Sequence, residues 1–210
     1  TQDYPTMEVG FTYTYVRVNS TGTRTIPDPR PVVSPLITGT PQPTITFTIP
    51  SFSANGGTGS FAYNFTDRLA GVIELGGFHN GNISDFHIDN TWFTFMMGPR
   101  VSLIKRSHTV VPSLHLLLGG THRSASVFLP PVTVAGEQLG GERLSTSEFG
   151  FSMALGGALD IRVTKLIAIR PIELDYYLTR LGSTALGGFE DFNNHNLRYQ
   201  AGVIFRIGGK

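Results

Sequence analysis

Between Asn196 and Gly208 the chain changes side-chain character at almost every residue. Leu197, Tyr199, Ala201, Val203, Phe205 and Ile207 fall on one face, and Arg198, Gln200, Gly202 and Arg206 on the other. Period two marks an extended strand. Six unbroken apolar positions backed by arginine and glutamine suit a strand with hydrocarbon on one side and a polar interior on the other. A half-buried soluble sheet shows the same alternation, so the pattern acquires meaning only if it recurs along the chain.

It does recur. Met7, Val9, Phe11, Tyr13 and Tyr15 alternate with Glu8, Gly10, Thr12 and Thr14; Phe61, Tyr63 and Phe65 form an outer face between Gly59 and Phe65. Ile73 and Leu75 oppose Glu74. Phe93, Phe95, Met97 and Val101 oppose Thr94, Gly98, Arg100 and Ser102. Leu114, Leu116 and Leu118 oppose Ser113, His115 and Gly119. Phe149, Phe151, Met153, Leu155 and Leu159 oppose Gly150, Ser152, Ala154, Gly156, Ala158 and Asp160. Ile172, Leu174, Tyr176 and Leu178 oppose Glu173, Asp175 and Tyr177. With the closing strand this makes eight strands of roughly ten residues, the length that crosses a bilayer at a tilt. Arg170 and Glu173 are three apart, which breaks period two, and a bulge at Pro171 would let both point inward.

The connections alternate between long and short. Thr66 to Leu69, Lys105 to His108 and Val163 to Lys165 are tight turns, whereas 19–58, 80–90, 122–148 and 181–194 are expected to be outer loops. Tight turns at one end and long loops at the other suit an outer-membrane barrel with both termini on the periplasmic side. The first long connection is an arm rich in proline and threonine, with Pro27, Pro29, Pro31, Pro35, Pro41, Pro43 and Pro50. Inside it Thr44-Ile45-Thr46-Phe47-Thr48-Ile49 alternates and is expected to form a strand above the membrane.

The bulk numbers agree. Charged residues are only 15%, glycines number 25, and the net charge of +1 gives no reason to expect a nucleic-acid partner. There is no cysteine, hence no disulfide framework. No run approaches the eighteen apolar residues of a membrane helix, which leaves a β-barrel open. The chain begins Thr1-Gln2-Asp3, as a removed secretory leader would leave it.

The order Gln200-x-Gly202-x-x-Phe205-x-Ile207 resembles the C-terminal signal by which outer-membrane assembly machinery recognises barrel clients, here followed by Gly208-Gly209-Lys210. With Gly98-Pro99-Arg100, with His115 and Gly119-Gly120, and with Arg170 to Tyr176, the chain resembles the OmpA/OmpX-like eight-stranded outer-membrane barrels. The resemblance covers the barrel alone, without the peptidoglycan-binding domain. It implies an all-β, single-domain, eight-stranded antiparallel up-and-down barrel in the bacterial outer membrane. It also implies contact with outer-membrane lipid, dependence on the assembly machinery, and a charged network inside, with Glu74, Glu173, Arg100 and Arg170 or Arg198 as central members.

Eight strands enclose a space that side chains fill. The inward charges Glu8, Glu74, Arg100, Arg170, Glu173, Asp175, Arg198 and Arg206 are therefore read as a paired network that closes the lumen, since an unpaired buried charge is expensive. The inner glycines Gly98, Gly119, Gly156 and Gly202 fit a narrow lumen. His122-x-Ser124, followed by Glu137 and Glu142, is similar to the His-Ser pair of lipid A deacylases of the PagL type, which are also eight-stranded barrels. The surrounding residues do not otherwise resemble that family, so no catalytic residue is assigned. The six histidines share no ligand spacing on one strand face, so neither a metal nor a cofactor is expected. The expected role is structural or adhesive, with self-association through Thr44, Ile45, Phe47 and Ile49 by main-chain pairing. A small ion-conducting pore, a lipid A-modifying enzyme and a soluble lipocalin-like carrier are the alternatives.

Overall fold

The protein is described by a computed structural model covering residues 4–19, 22–27, 44–49, 51–83, 88–128, 132–134, 137–139, 143–181 and 192–208. Its strands are β1 (Met7–Val18), β2 (Gly22–Pro27), β3 (Thr44–Ile49), β4 (Phe52–Asn64), β5 (Leu69–Ile83) and β6 (Ile88–Ser102). They continue with β7 (Val110–Phe128), β8 (Val132–Val134), β9 (Glu137–Leu139), β10 (Arg143–Arg162), β11 (Ile167–Leu181) and β12 (Phe192–Ile207). Eight of them close into an antiparallel barrel in the order β1-β12-β11-β10-β7-β6-β5-β4. The strand beginning at Met7 is sealed by the C-terminal one, Met7 opposite Ile207 and Arg17 opposite Leu197.

The period-two pattern sets which way each side chain points. Phe11, Ile73, Phe93, Met97, Leu114, Phe151, Leu155, Val203 and Phe205 are exposed on the outer wall, while Glu8, Glu74, Arg100, Glu173, Asp175 and Arg198 are buried inside. A soluble barrel would bury the first set and expose the second; an outer wall of hydrocarbon is stable only against lipid. The expected bulge sits in β11. Its pairing with β12 shifts by one residue between Arg170 and Glu173, so Pro171 and Ile172 both face out while Arg170 and Glu173 both face in.

Two of the tight turns share one construction. Phe65 N and Thr66 N donate to Leu69 O, and Thr66 Oγ1 accepts from Leu69 N; Val163 N and Thr164 N donate to Ile167 O, and Thr164 Oγ1 accepts from Ile167 N. A threonine oxygen thus satisfies the amide that each turn would leave free.

The long connections differ from expectation. The barrel strand β4 begins at Phe52, paired with Val18, so residues 52–58 belong to the wall and the arm is shorter than 19–58. Thr44–Ile49 is a strand as expected, paired with Gly22–Pro27 as a separate hairpin; residues 28–43 of the arm lie outside the described residues. Within the 80–90 segment, residues 80–83 continue β5 and 88–90 continue β6, paired out to Ile83 opposite Ile88, and 84–87 lie outside the described residues. Most of 122–148 is strand too: β7 and β10 pair out to Phe128 opposite Arg143, and Val132–Val134 pairs with Glu137–Leu139. At 19 and 20 residues, β7 and β10 far exceed what a bilayer crossing needs, so their upper halves stand clear of it. Composition hid this, because Asn, Ser, Thr and Gly read as loop residues while main-chain pairing tolerates them where both faces meet water. The 181–194 segment ends at Phe192, where β12 begins, and 182–191 lies outside the described residues.

Candidate functional site

The barrel interior divides into three levels. At the turn end, Glu8 on β1 reaches across the lumen to Arg100 on β6, with a hydrogen bond from Arg100 Nη2 to Glu8 Oε2. Arg106 lies in the expected tight turn, but its side chain is 2% exposed and folded into the barrel floor. It donates to Asn64 Oδ1 and, more loosely, to Glu8 Oε1 at 3.5 Å. The turn can dip inward because Arg106 N donates to Asp67 O and Ser102 N to Arg68 O, tying it to the neighbouring turn. Burial, with repulsion from Arg100 and against the pull of Glu8, lowers the Arg106 guanidinium to about 10, so it stays charged at neutral pH. Sequence reading missed this residue because period two does not extend through a turn.

The middle level is a chain of guanidinium–carboxylate contacts. Asp160 holds Arg170 with both oxygens, at 2.6 and 2.9 Å, and Arg170 Nη1 donates to Glu173 Oε2 at 2.6 Å. Gln200 Nε2 donates to Glu173 Oε1 at 3.2 Å, and Thr12 Oγ1 donates to Gln200 Oε1 at 2.6 Å. Arg198 is wholly buried. It donates from Nε to Asp175 Oδ2 at 2.8 Å and from Nη1 to Glu74 Oε1 on β5, across the lumen. Two struts, Glu8–Arg100 and Glu74–Arg198, therefore join walls that share no edge. Arg206 is buried at the floor, donating to Arg106 O at 2.9 Å, without a carboxylate partner among the described residues.

His115 joins this level through a missing side chain. It is paired with Gly156, which is in turn paired with Asp175, so the glycine stands between them. Across it His115 Nε2 lies 2.8 Å from Asp175 Oδ1. A Cβ on Gly156 would come within 1.9 Å of that same oxygen and 2.2 Å of Leu174 O. The other inner glycines obey the same constraint: Gly98, Gly119 and Gly202 would each press a Cβ to about 2.0 Å or less from a neighbouring strand's carbonyl oxygen. Close approach of adjacent strands, rather than a narrow lumen, is thus what excludes side chains there.

The donor atoms of His115, Glu173 and Asp175 lie within 4.8 Å of one another, a grouping that the search for spaced histidines overlooked because it is assembled across strands. The set is poorly suited to a cation. Arg198 holds Asp175 and Arg170 holds Glu173, so an incoming ion would meet two guanidinium charges at close range.

Toward the loop end an apolar cluster, which the sequence reading did not foresee, shares the interior with buried Asn90, Thr121, Ser152, Thr179 and Asn196. Val16, Val18, Phe52, Phe78, Trp92, Met96 and Leu117 are buried in one cluster. Phe78 and Trp92 are register partners, and Phe52 meets Trp92 edge-on at 6.4 Å. Trp92 Nε1 donates to Asn90 Oδ1, which also accepts from Arg123 Nε. The inward parity of these residues was legible; their hydrophobicity was hidden by the expectation of a polar interior.

The remaining sequence candidates are scattered. His122 lies on β7 rather than in a loop, exposed on the outer wall between its register partners Phe93 and Phe149, and without a side-chain hydrogen bond among the described residues. Ser124 is half-buried on the same strand; nothing is described of the Glu137 side chain, and Glu142 lies outside the described residues. Of the closing-strand positions, Gln200 is buried, Gly202 abuts Phe11 O, and Phe205 and Ile207 are exposed on the wall. The side chains of Thr44, Ile45, Phe47 and Ile49 lie outside the described residues.

No protein-family model matches the sequence, and no curated protein is similar to it. Solved structures do match. Neisserial surface protein A is 13% identical, with 96% of this chain and 97% of that one covered and a TM-score of 0.54. The outer-membrane protein OprG of Pseudomonas aeruginosa is 9% identical, with 99% of each chain covered and a TM-score of 0.50. Ail, the attachment invasion locus protein of Yersinia pestis, in complex with the heparin analogue sucrose octasulfate, is 15% identical, with 96% and 99% covered and a TM-score of 0.50. Together with the closed order of eight antiparallel strands and the lipid-facing wall, these matches give the chain the fold of the eight-stranded bacterial outer-membrane β-barrels.

Proposed function

We propose that the protein is a closed anchor in the bacterial outer membrane that holds its long connections outside the cell, where they make contacts with other surfaces or with other copies of the chain. The observation that carries this reading is the doubly filled lumen. Struts of buried ion pairs cross it at mid-height and at the floor, and an aromatic cluster fills it above. Among the described residues such an interior leaves little room for a water-filled route for ions or substrate, which favours the closed reading. The β7–β10 hairpin, much longer than the bilayer requires, offers an elevated platform for contacts. The Yersinia neighbour is named for attachment, and a sealed barrel with raised loops suits that class of role here.

Self-association runs through the hairpin of Gly22–Pro27 and Thr44–Ile49, whose main chain can extend a neighbouring copy's sheet. Deleting residues 25–50 and measuring mass by light scattering tests this; an unchanged assembly state sinks it. Purified protein in planar bilayers is expected to give no stepwise conductance. Steady ion-selective currents altered by Arg100→Gln or Glu74→Gln would establish the pore instead.

A further inference from the structure

The barrel floor holds a cavity of about 20 Å³ lined by Glu8, Ser102, Arg106, Asp160, Arg162 and Arg206, among others. That volume admits one water or one oxygen of a larger group. Both acids in the lining are already engaged, Glu8 by Arg100 and Arg106, and Asp160 by both arms of the Arg170 fork. The cations are less fully served. Among the described residues, Arg206 makes one side-chain hydrogen bond, to the Arg106 carbonyl, and feels Glu8 and Asp160 only through space, without a direct ion pair, while the Arg162 side chain has neither a hydrogen bond nor an ion pair. Arg106 is 2% exposed; its terminal nitrogens serve Asn64, Glu8 and the Arg68 carbonyl, but its Nε is buried without a hydrogen-bond partner. Guanidinium groups in such surroundings are costly alone and favourable around an oxyanion, whose oxygens match their fork of donors.

We propose that this cavity is an oxyanion site, in which Arg106, Arg162 and Arg206 hold one end of a phosphate group at the turn end of the barrel. One oxygen enters the cavity, and the half-buried Arg162 meets the remainder at the mouth. The phosphate is either free in the aqueous phase or carried by a phospholipid headgroup of the adjoining leaflet; the chemistry is the same.

Calorimetric titration of the full chain with inorganic phosphate, in a sugar detergent and with chloride at matched ionic strength as control, tests the site. Saturable binding of phosphate is expected, weakened about tenfold or more in Arg162→Gln and Arg206→Gln, since each removes a charge-assisted contact. Arg17→Gln, at the opposite end, should bind as the parent does. Repeating the titration in phospholipid nanodiscs separates the sources: binding retained there identifies free phosphate, and binding lost there identifies the headgroup as occupant. Absence of saturable binding in detergent, or binding undiminished in Arg162→Gln, overturns the proposal even if Arg206→Gln fails to fold.

Discussion

Replacing Arg198 by methionine tests how the interior is held together. Arg198 serves Glu74 and Asp175 directly, stands 4.0 Å from Glu173 Oε1, and lies over the Tyr177 ring at 5.4 Å. Its loss falls unequally on these partners. Glu173 keeps Arg170 and Gln200, and Asp175 keeps His115, but Glu74 has no other hydrogen bond or ion pair among the described residues. One buried carboxylate is thus stranded, a change that costs about 3–5 kcal/mol when a single partner of a buried pair is removed. Trp92 is the only tryptophan and sits in the interior, so its fluorescence during urea unfolding in lipid vesicles reads the loss. The sharper readout is a sign reversal. Glu74→Gln should destabilise the parent by about 1 kcal/mol, because a charged hydrogen bond becomes a weaker one. In the Arg198→Met background the same change should stabilise, because it removes the stranded charge. Arg198→Met costing under about 1 kcal/mol, or Glu74→Gln acting with the same sign and size in both backgrounds, would refute the strut.

Other perturbations test separate parts of the architecture. Gly156→Ala should cost about 1–3 kcal/mol, because the new methyl meets both a carboxylate and a backbone carbonyl, whereas Gly59→Ala, with open space around it, should stay within about 0.5 kcal/mol; urea midpoints decide. Deleting Pro171 removes the bulge and turns either Arg170 or Glu173 to the lipid face, a loss of about 2–4 kcal/mol for an arginine placed there. That loss should appear as reduced heat-modifiable migration on a detergent gel. Trp92→Ala should cost about 3–5 kcal/mol, since the ring is packed as tightly as in a soluble core. Expression of the protein should leave lipid A mass unchanged; a mass shift lost in Ser124→Ala would reinstate the deacylase reading.

Much was legible before any coordinates. A strand alternates faces by geometry alone, so Leu197 to Ile207 and Phe149 to Leu155 declare which residues share a face without reference to their neighbours, and the recurrence of that pattern along the chain assigns the apolar face to lipid. Even the bulge at Pro171 could be read, because two charges three apart cannot both face inward on an unbroken strand. What the residues do to one another required the closed barrel. Glu8 and Arg100 are 92 residues apart and Glu74 and Arg198 are 124 apart; nothing local says which acid meets which arginine. Arg106 entered the core through a turn, where no periodicity operates. His115 found Asp175 only because the residue standing between them in the sheet is a glycine. Alternation along a strand is a property of one segment, whereas barrel closure and strand stagger belong to all eight strands at once. The face of each residue was therefore written in the sequence, and its partner was decided by the fold.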